Sequence, residues 1–182
     1  MEAVIPAFIA VLLAETGGKV QLLAGLLPGK RAVMLAMLLS TLISFGIAAG
    51  GAVLIADSVA FAPRTLLVGL ALLFAGVPML LPAKPAKPKD KGRSFGGHLF
   101  QFLAAQIGDA SQFIVFAIAA RSNLAPLAFA GGVAAVLVAG AMPSLIAGDW
   151  PGVNRLMVFR RIAAVLLIIA GMWCAATALK VI

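Results

Sequence analysis

The chain has 182 residues, of which 63% are hydrophobic and 11% charged, and its mean hydropathy is +1.14. This composition excludes a soluble domain and predicts an integral membrane protein of one bundle. The formal charge of +8 does not indicate nucleic acid, because the basic residues lie in loops between apolar segments. One cysteine, Cys174, and one histidine, His98, exclude a disulfide framework and the HExxH metal arrangement. His98, near the start of an apolar segment, is expected to face lipid headgroups.

Six apolar segments follow one another, and each is long enough for a tilted membrane-spanning helix. We therefore predict an all-α, polytopic membrane protein with six transmembrane helices. The segments are Val4–Leu27, Ala32–Ala56, Thr65–Leu81, Gly97–Ala120, Leu124–Ile146 and Met157–Leu179. Helix-packing roles are expected in the second segment for Ser40, Thr41, Ser44 and the GxxxG pair Gly46 and Gly50.

The longest connection, residues 82–93, repeats Ala-Lys-Pro and favours an extended linker without a core. We divide the chain into a three-helix repeat at 1–82, a Lys/Pro-rich linker at 83–95 and a second repeat at 96–182. The first, third and fifth loops share one side and hold ten basic residues, against three on the other. The positive-inside rule predicts a cell (inner) membrane protein with a cytoplasmic linker and both termini outside. The ten are Lys30, Arg31, Lys84, Lys87, Lys89, Lys91, Arg93, Arg155, Arg160 and Arg161.

A polar island, Glu15-Thr16-Gly17-Gly18-Lys19-Val20-Gln21, interrupts the first segment. An ionised group near the middle of a span costs at least ~2.5–3.5 kcal/mol, so Glu15 and Lys19 indicate a functional site. Lys19 lies one helical turn beyond Glu15 and is its first candidate partner. Gly17 and Gly18 weaken the helix between them, and unwound backbone at this depth is tolerated only beside protein or a water-filled cavity.

The two halves resemble one another when they are aligned without gaps. The polar island falls on Gln106-Ile107-Gly108-Asp109-Ala110-Ser111-Gln112 in the fourth segment. Each half has an odd number of spans, so the second would enter the membrane upside down, as in transporters with inverted repeats. Their binding sites lie near the midplane on broken helices, so we expect Asp109 to meet Glu15 and Gly108 to break its helix.

The polar cluster predicts a site for a hard cation such as Mn²⁺, Ca²⁺ or Mg²⁺, which prefer oxygen ligands. Glu15 and Asp109 are the candidate metal ligands, and Lys19 is their charge partner. The carboxylates could take up protons when the cation leaves, which is the minimal chemistry of a cation/proton exchanger. The further oxygen donors are Gln21, Gln106, Ser111 and Gln112.

At these residues the chain resembles the transmembrane protein 165 / Gdt-one family (uncharacterised protein family 0016), within the LysE-type transporter superfamily. The mark of the family is a Glu-x-Gly-Asp-Lys/Arg-Ser/Thr signature in both the first and the fourth helix. The resemblance implies inverted repeats and export of Mn²⁺ or Ca²⁺, in exchange for protons, with the signature acids as ligands. Matching positions are Glu15, Gly17, Lys19, Gly108, Asp109 and Ser111, and departures are Gly18, Val20, Gln106 and Ala110.

Two alternatives to divalent cation export stay open. One is export of a small organic cation or amino acid, as the superfamily allows, and the other is a degenerate membrane protein that does not transport. An enzyme is not expected, because no second aspartate lies within a span to share a proton with Asp109. No cofactor is expected, since the cation is the substrate. The expected partners are the bilayer, the cation and protons, without nucleic acid, and a homo-oligomer stays open.

Overall fold

The computed structural model describes residues 2–27, 30–81, 94–145 and 153–180, and this part of the chain is helical without a strand. Its helices are α1 (Val4–Glu15), α2 (Lys19–Leu26), α3 (Lys30–Ala56), α4 (Phe61–Leu80), α5 (Phe95–Gln106), α6 (Ala110–Ser122), α7 (Ala125–Leu145) and α8 (Val153–Ala178). Four of them, α3, α4, α7 and α8, are long and apolar enough to cross a membrane. The pairs α1–α2 and α5–α6 meet the same test as bent units, so up to six spans are present among the described residues. The chain is an all-α, multi-pass membrane protein.

The helix ends follow the chemistry of the sequence closely. Asn123 ends α6 in the left-handed conformation, with φ 54°, which asparagine adopts more readily than most residues. The α4 helix begins at Phe61, before the predicted Thr65, because Pro63 lies in its first turn, where a missing N–H costs little. The predicted linker lies outside the described residues apart from Ser94 and Phe95. Ser94 accepts a hydrogen bond from the N–H of Gly97 (3.2 Å) and so caps α5.

Glycines allow α4 and α8 to pack backbone against backbone. A Cβ atom at Gly69 would lie 2.8 Å from the carbonyl oxygen of Gly171, so no larger residue fits without a shift. The GxxxG pair behaves differently, since a Cβ atom at Gly46 or Gly50 would meet no atom within 4 Å. The prediction that this pair packs helices is therefore wrong within the described chain.

The bent pairs pack against the other half of the chain. The α1–α2 pair packs on α7, and the α5–α6 pair packs on α3. Each pair therefore contacts the long helix that follows the break in the other half, and the two breaks come together. On α5, His98 is 1% exposed, and neither of its ring nitrogens has a hydrogen-bond partner among the described residues. The expectation that His98 faces headgroups is wrong, because its side chain is enclosed by protein.

Candidate functional site

The two breaks have the same local structure. The α1–α2 and α5–α6 pairs both bend by 62°. Gly17 and Gly108 adopt left-handed backbone angles there, with φ 66° and 75°, which glycine tolerates and other residues rarely do. The N–H of Gly17 donates to Oε1 of Gln21 (2.7 Å), and the N–H of Gly108 donates to Oε1 of Gln112 (2.7 Å). Gly18 is extended and caps the start of α2.

The same glutamines connect each break to the helix that it faces. Nε2 of Gln21 donates to the carbonyl of Ala139 on α7 (3.2 Å), and Nε2 of Gln112 donates to the carbonyl of Ser44 on α3 (3.0 Å). Within α7 the carbonyl of Ala139 would accept the N–H of the residue four positions later, which is Pro143 and has none. Gln21 therefore supplies a donor that the helix itself lacks.

Two polar contacts join the first break to the second. The Ser111 hydroxyl donates to Oε1 of Glu15 (2.7 Å), and both residues are buried. The Lys19 ammonium lies 3.4 Å from Oδ1 of Asp109. Lys19, expected beside Glu15 on one helical face, thus pairs with an acid of the other half, because the chain turns at Gly17 before it reaches Lys19.

The two acids have different surroundings. Glu15 is 2% exposed and is held by Ser111. The side chain of Asp109 is 26% exposed and that of Lys19 is 69% exposed. Protein encloses this pair only in part, so the two side chains can separate more easily than those of a buried pair. Asp109 is thus an accessible carboxylate, and Glu15 is an enclosed one beside it.

A cavity of about 570 Å³ adjoins both breaks. Residues of the breaks form one side, and the C-terminal part of α4 with Arg160 of α8 forms the other. Its lining consists of Ala14, Thr16, Gly17, Gly18, Lys19, Leu22, Phe74, Ala75, Pro78, Met79, Gly108, Asp109, Ala110, Phe113 and Arg160.

Arg160 lies on α8 and lines this cavity. Its assignment to the basic residues of the fifth loop is therefore wrong. Its Nη1 donates to the carbonyl of Gly17 (3.1 Å), its Nε to that of Met79 (3.1 Å) and its Nη2 to that of Pro78 (3.4 Å). The hydrophobic stretch of α8 contains both Arg160 and Arg161, and this position is the signal that could have marked the pair for a role beyond a loop charge.

The α3 helix also contributes polar groups to the cluster, beyond the packing role that the sequence indicated. Nε2 of Gln106 donates to Oγ1 of Thr41 (2.9 Å), and the Ser44 hydroxyl donates to the Gln106 carbonyl (3.4 Å). Oε1 of Gln106 is buried and accepts no hydrogen bond from the described residues. A buried acceptor without a donor is costly, so this oxygen is a candidate ligand for a cation.

The charges and donors limit what the site can bind. No three residues among His, Cys, Asp and Glu come together as a metal site in the described part of the chain. The oxygen donors are instead two carboxylates, a hydroxyl, an amide oxygen and the carbonyls at the breaks. Lys19 and Arg160 balance the formal charges of Glu15 and Asp109.

Two broken helices that meet beside a cavity in an all-α, multi-pass chain are a feature of many secondary membrane transporters. Residues 94–181 match the family model described as "Divalent cation/proton antiporter GDT1". This match, over slightly less than half of the chain, agrees with the family predicted from the two signatures. Comparisons with curated proteins and with solved structures gave no match.

Proposed function

We propose that this protein exports a divalent cation in exchange for protons, with Mn²⁺ as the substrate and Ca²⁺ as the alternative. The family match supports the class of reaction. The observation that carries the proposal is the hydrogen bond from Ser111 to Glu15 (2.7 Å), which joins the two signature copies. A site that takes groups from both halves changes shape when the halves move relative to each other.

The proposed transporter has six spans in two inverted three-helix repeats, residues 1–82 and 96–182. In this arrangement α1–α2 and α5–α6 are each one broken span. The matching glycine and glutamine contacts of the two breaks support the duplication. The loop charges favour a cytoplasmic linker, outward termini and the inner membrane. Alternating access then follows from rocking of one repeat against the other around the site.

Glu15 and Asp109 are the proposed ligands of the cation, with Ser111 and Oε1 of Gln106 as neutral oxygen donors. The unpaired state of the Gln106 oxygen supports its inclusion. Gln21 and Gln112 each use Oε1 to accept a glycine N–H, so we assign them to the geometry of the breaks. The predicted ligand role of these two glutamines would require that contact to open.

Exchange follows from competition for the carboxylates. A cation bound by Glu15 and Asp109 and the protons that neutralise them cannot occupy the same oxygens. Lys19 would hold Asp109 whenever the cation is away, as their 3.4 Å contact allows. Because that pair is exposed and weak, a divalent cation that enters the cavity can displace the ammonium.

A second candidate substrate is an amino acid. The cavity of about 570 Å³ falls in the usual range for small-molecule sites, roughly 300–1,000 Å³. It presents the carboxylate of Asp109 together with the cations Lys19 and Arg160, which suit the two charges of a zwitterion. If transport is driven by an amino acid and is insensitive to competing Mn²⁺ and Ca²⁺, this candidate replaces the divalent cation.

The test is coupled flux in liposomes that contain the purified protein. A Mn²⁺ gradient is imposed, and internal metal and pH are followed for wild type, Glu15→Gln, Asp109→Asn and the control Asp57→Asn, which removes an exposed carboxylate outside the cluster. We expect coupled flux in wild type and the control, and its loss in the two site variants. If wild type moves neither Mn²⁺ nor Ca²⁺ with protons, the proposal is wrong. If both site variants transport normally, the ion uses other residues.

A further inference from the structure

The carbonyl of Gly17 lies outside the helices that flank it. The first backbone hydrogen bond of α2 runs from the N–H of Leu22 to the carbonyl of Gly18 (3.1 Å). The carbonyl of Gly17, one residue earlier, therefore takes no part in the hydrogen bonds of that helix. It accepts Nη1 of Arg160 instead. The arginine stem packs against the same glycine, since a Cβ atom at Gly17 would lie 3.4 Å from Cδ of Arg160.

Arg160 also holds the end of α4. It donates to the carbonyls of Met79 and Pro78, which lie in the last turn of this helix before Leu80. Carbonyls in the last turn of a helix carry partial negative charge and attract cations. A single guanidinium thus satisfies carbonyls at two helix ends, one at the first break and one beside the cavity.

In broken helices, unwound carbonyls and the C-terminal ends of half-helices are the groups that coordinate transported cations. At the first break, the guanidinium of Arg160 already occupies such a carbonyl. It also brings a second positive charge, after Lys19, to a cavity in which Asp109 is the one acid among the described lining residues. A divalent cation in this cavity therefore meets repulsion from Arg160 as well as competition for the Gly17 oxygen.

We propose that Arg160 acts as a tethered cation, which occupies the Gly17 carbonyl when the site is free and leaves it when the transported ion binds. This inference rests on the proposed function. Arg160 thereby lowers the affinity for the ion in the arrangement described here and favours its release from the site. It is a positioning residue that sets affinity through the backbone carbonyl and the charge of the cavity.

The test is Mn²⁺ binding to the purified, detergent-solubilised protein by isothermal titration, with four chains compared. Arg160→Gln removes the charge, Arg160→Lys keeps it, and Arg161→Gln is the control, because Arg161 is the adjacent arginine and is exposed. We expect Arg160→Gln to bind Mn²⁺ about tenfold more tightly or better, since a nearby unit charge is removed. Arg160→Lys should stay within about threefold of wild type, and Arg161→Gln should match it. If Arg160 only supported the structure of the site, Arg160→Gln would weaken Mn²⁺ binding and would not strengthen it.

If wild type binds Mn²⁺, unchanged or weaker binding by Arg160→Gln would overturn this inference. Absence of Mn²⁺ and Ca²⁺ binding in wild type would instead overturn the proposed function, and this inference with it. A second measurement uses only the wild-type protein, so it tests the inference even if a variant fails to fold. Phenylglyoxal labelling, read by peptide mass spectrometry, should increase at Arg160 when Mn²⁺ is added and stay constant at Arg161. Protection of Arg160, or no change, would contradict its release.

Discussion

Replacing Gln21 by leucine should destabilise the protein far more than the same change at Gln112. Gln21 is 4% exposed and satisfies both the N–H of Gly17 and the carbonyl of Ala139. Pro143 leaves that carbonyl without a helical donor, so Gln21→Leu leaves two buried polar groups unpaired. Each costs about 1–3 kcal/mol, which gives a loss of roughly 2–6 kcal/mol.

The loss at Gln112 is smaller because its contacts are easier to replace. The hydrogen bond of the Gly108 N–H is exposed, and the carbonyl of Ser44 belongs to the interior of α3, where a helical donor is present. Gln112→Leu should therefore cost about 0.5–1.5 kcal/mol. The two glutamines form a matched pair, since each stands at the same position of its own break.

The assay is equilibrium unfolding in mixed detergent micelles, supported by thermal unfolding. A Pro143→Ala change restores an N–H to the carbonyl of Ala139, so it should reduce the cost of Gln21→Leu by about 1–3 kcal/mol in a double-mutant cycle. Equal losses for Gln21→Leu and Gln112→Leu, or no coupling between Gln21 and Pro143, would refute the reasoning.

Three further changes test other parts of the structure by the same unfolding assays. Gly108→Ala should cost about 1–2 kcal/mol because its backbone is left-handed. Gly46→Ala also meets no neighbour within 4 Å but lies inside α3, so it should be neutral or stabilise by up to about 1 kcal/mol. Equal effects of the two changes would contradict the assignment of strain to Gly108. Gly69→Ala should lower the free energy of unfolding by about 1–3 kcal/mol or more, because its Cβ atom would clash with the backbone of α8. Gly50→Ala has no such neighbour and should not destabilise the protein. An unchanged stability of Gly69→Ala would disprove the close contact. Lys19→Ala should change stability by less than about 1 kcal/mol because its ion pair is exposed, yet it should weaken proton coupling in the flux assay; normal coupling would exclude its role at Asp109.

The apolar segments and the breaks could be predicted from the sequence because both depend on local chemistry. Segment length and hydropathy place the helices, and glycine at positions 17 and 108 permits the left-handed angles of the breaks. The partner of Lys19 could not be predicted, because the rule that pairs residues four apart assumes a continuous helix. The α1 helix ends at Glu15, the chain turns at Gly17, and the ammonium lies beside Asp109.

Other features depend on contacts between distant parts of the chain. A count of loop charges cannot tell which of the adjacent Arg160 and Arg161 turns inward, since that depends on the carbonyls at the first break and at the end of α4. A GxxxG spacing likewise does not show which glycines meet another helix. The structure places Gly69 and Gly171 in contact instead.

A shared site for cation and proton is tested most directly by counting protons released as Mn²⁺ binds to the purified protein in weak buffer. We expect wild type to release protons in proportion to the Mn²⁺ bound, and Glu15→Gln and Asp109→Asn each to reduce both binding and release. Mn²⁺ binding without proton release, or release that survives both substitutions, would contradict exchange at a site built from both broken helices.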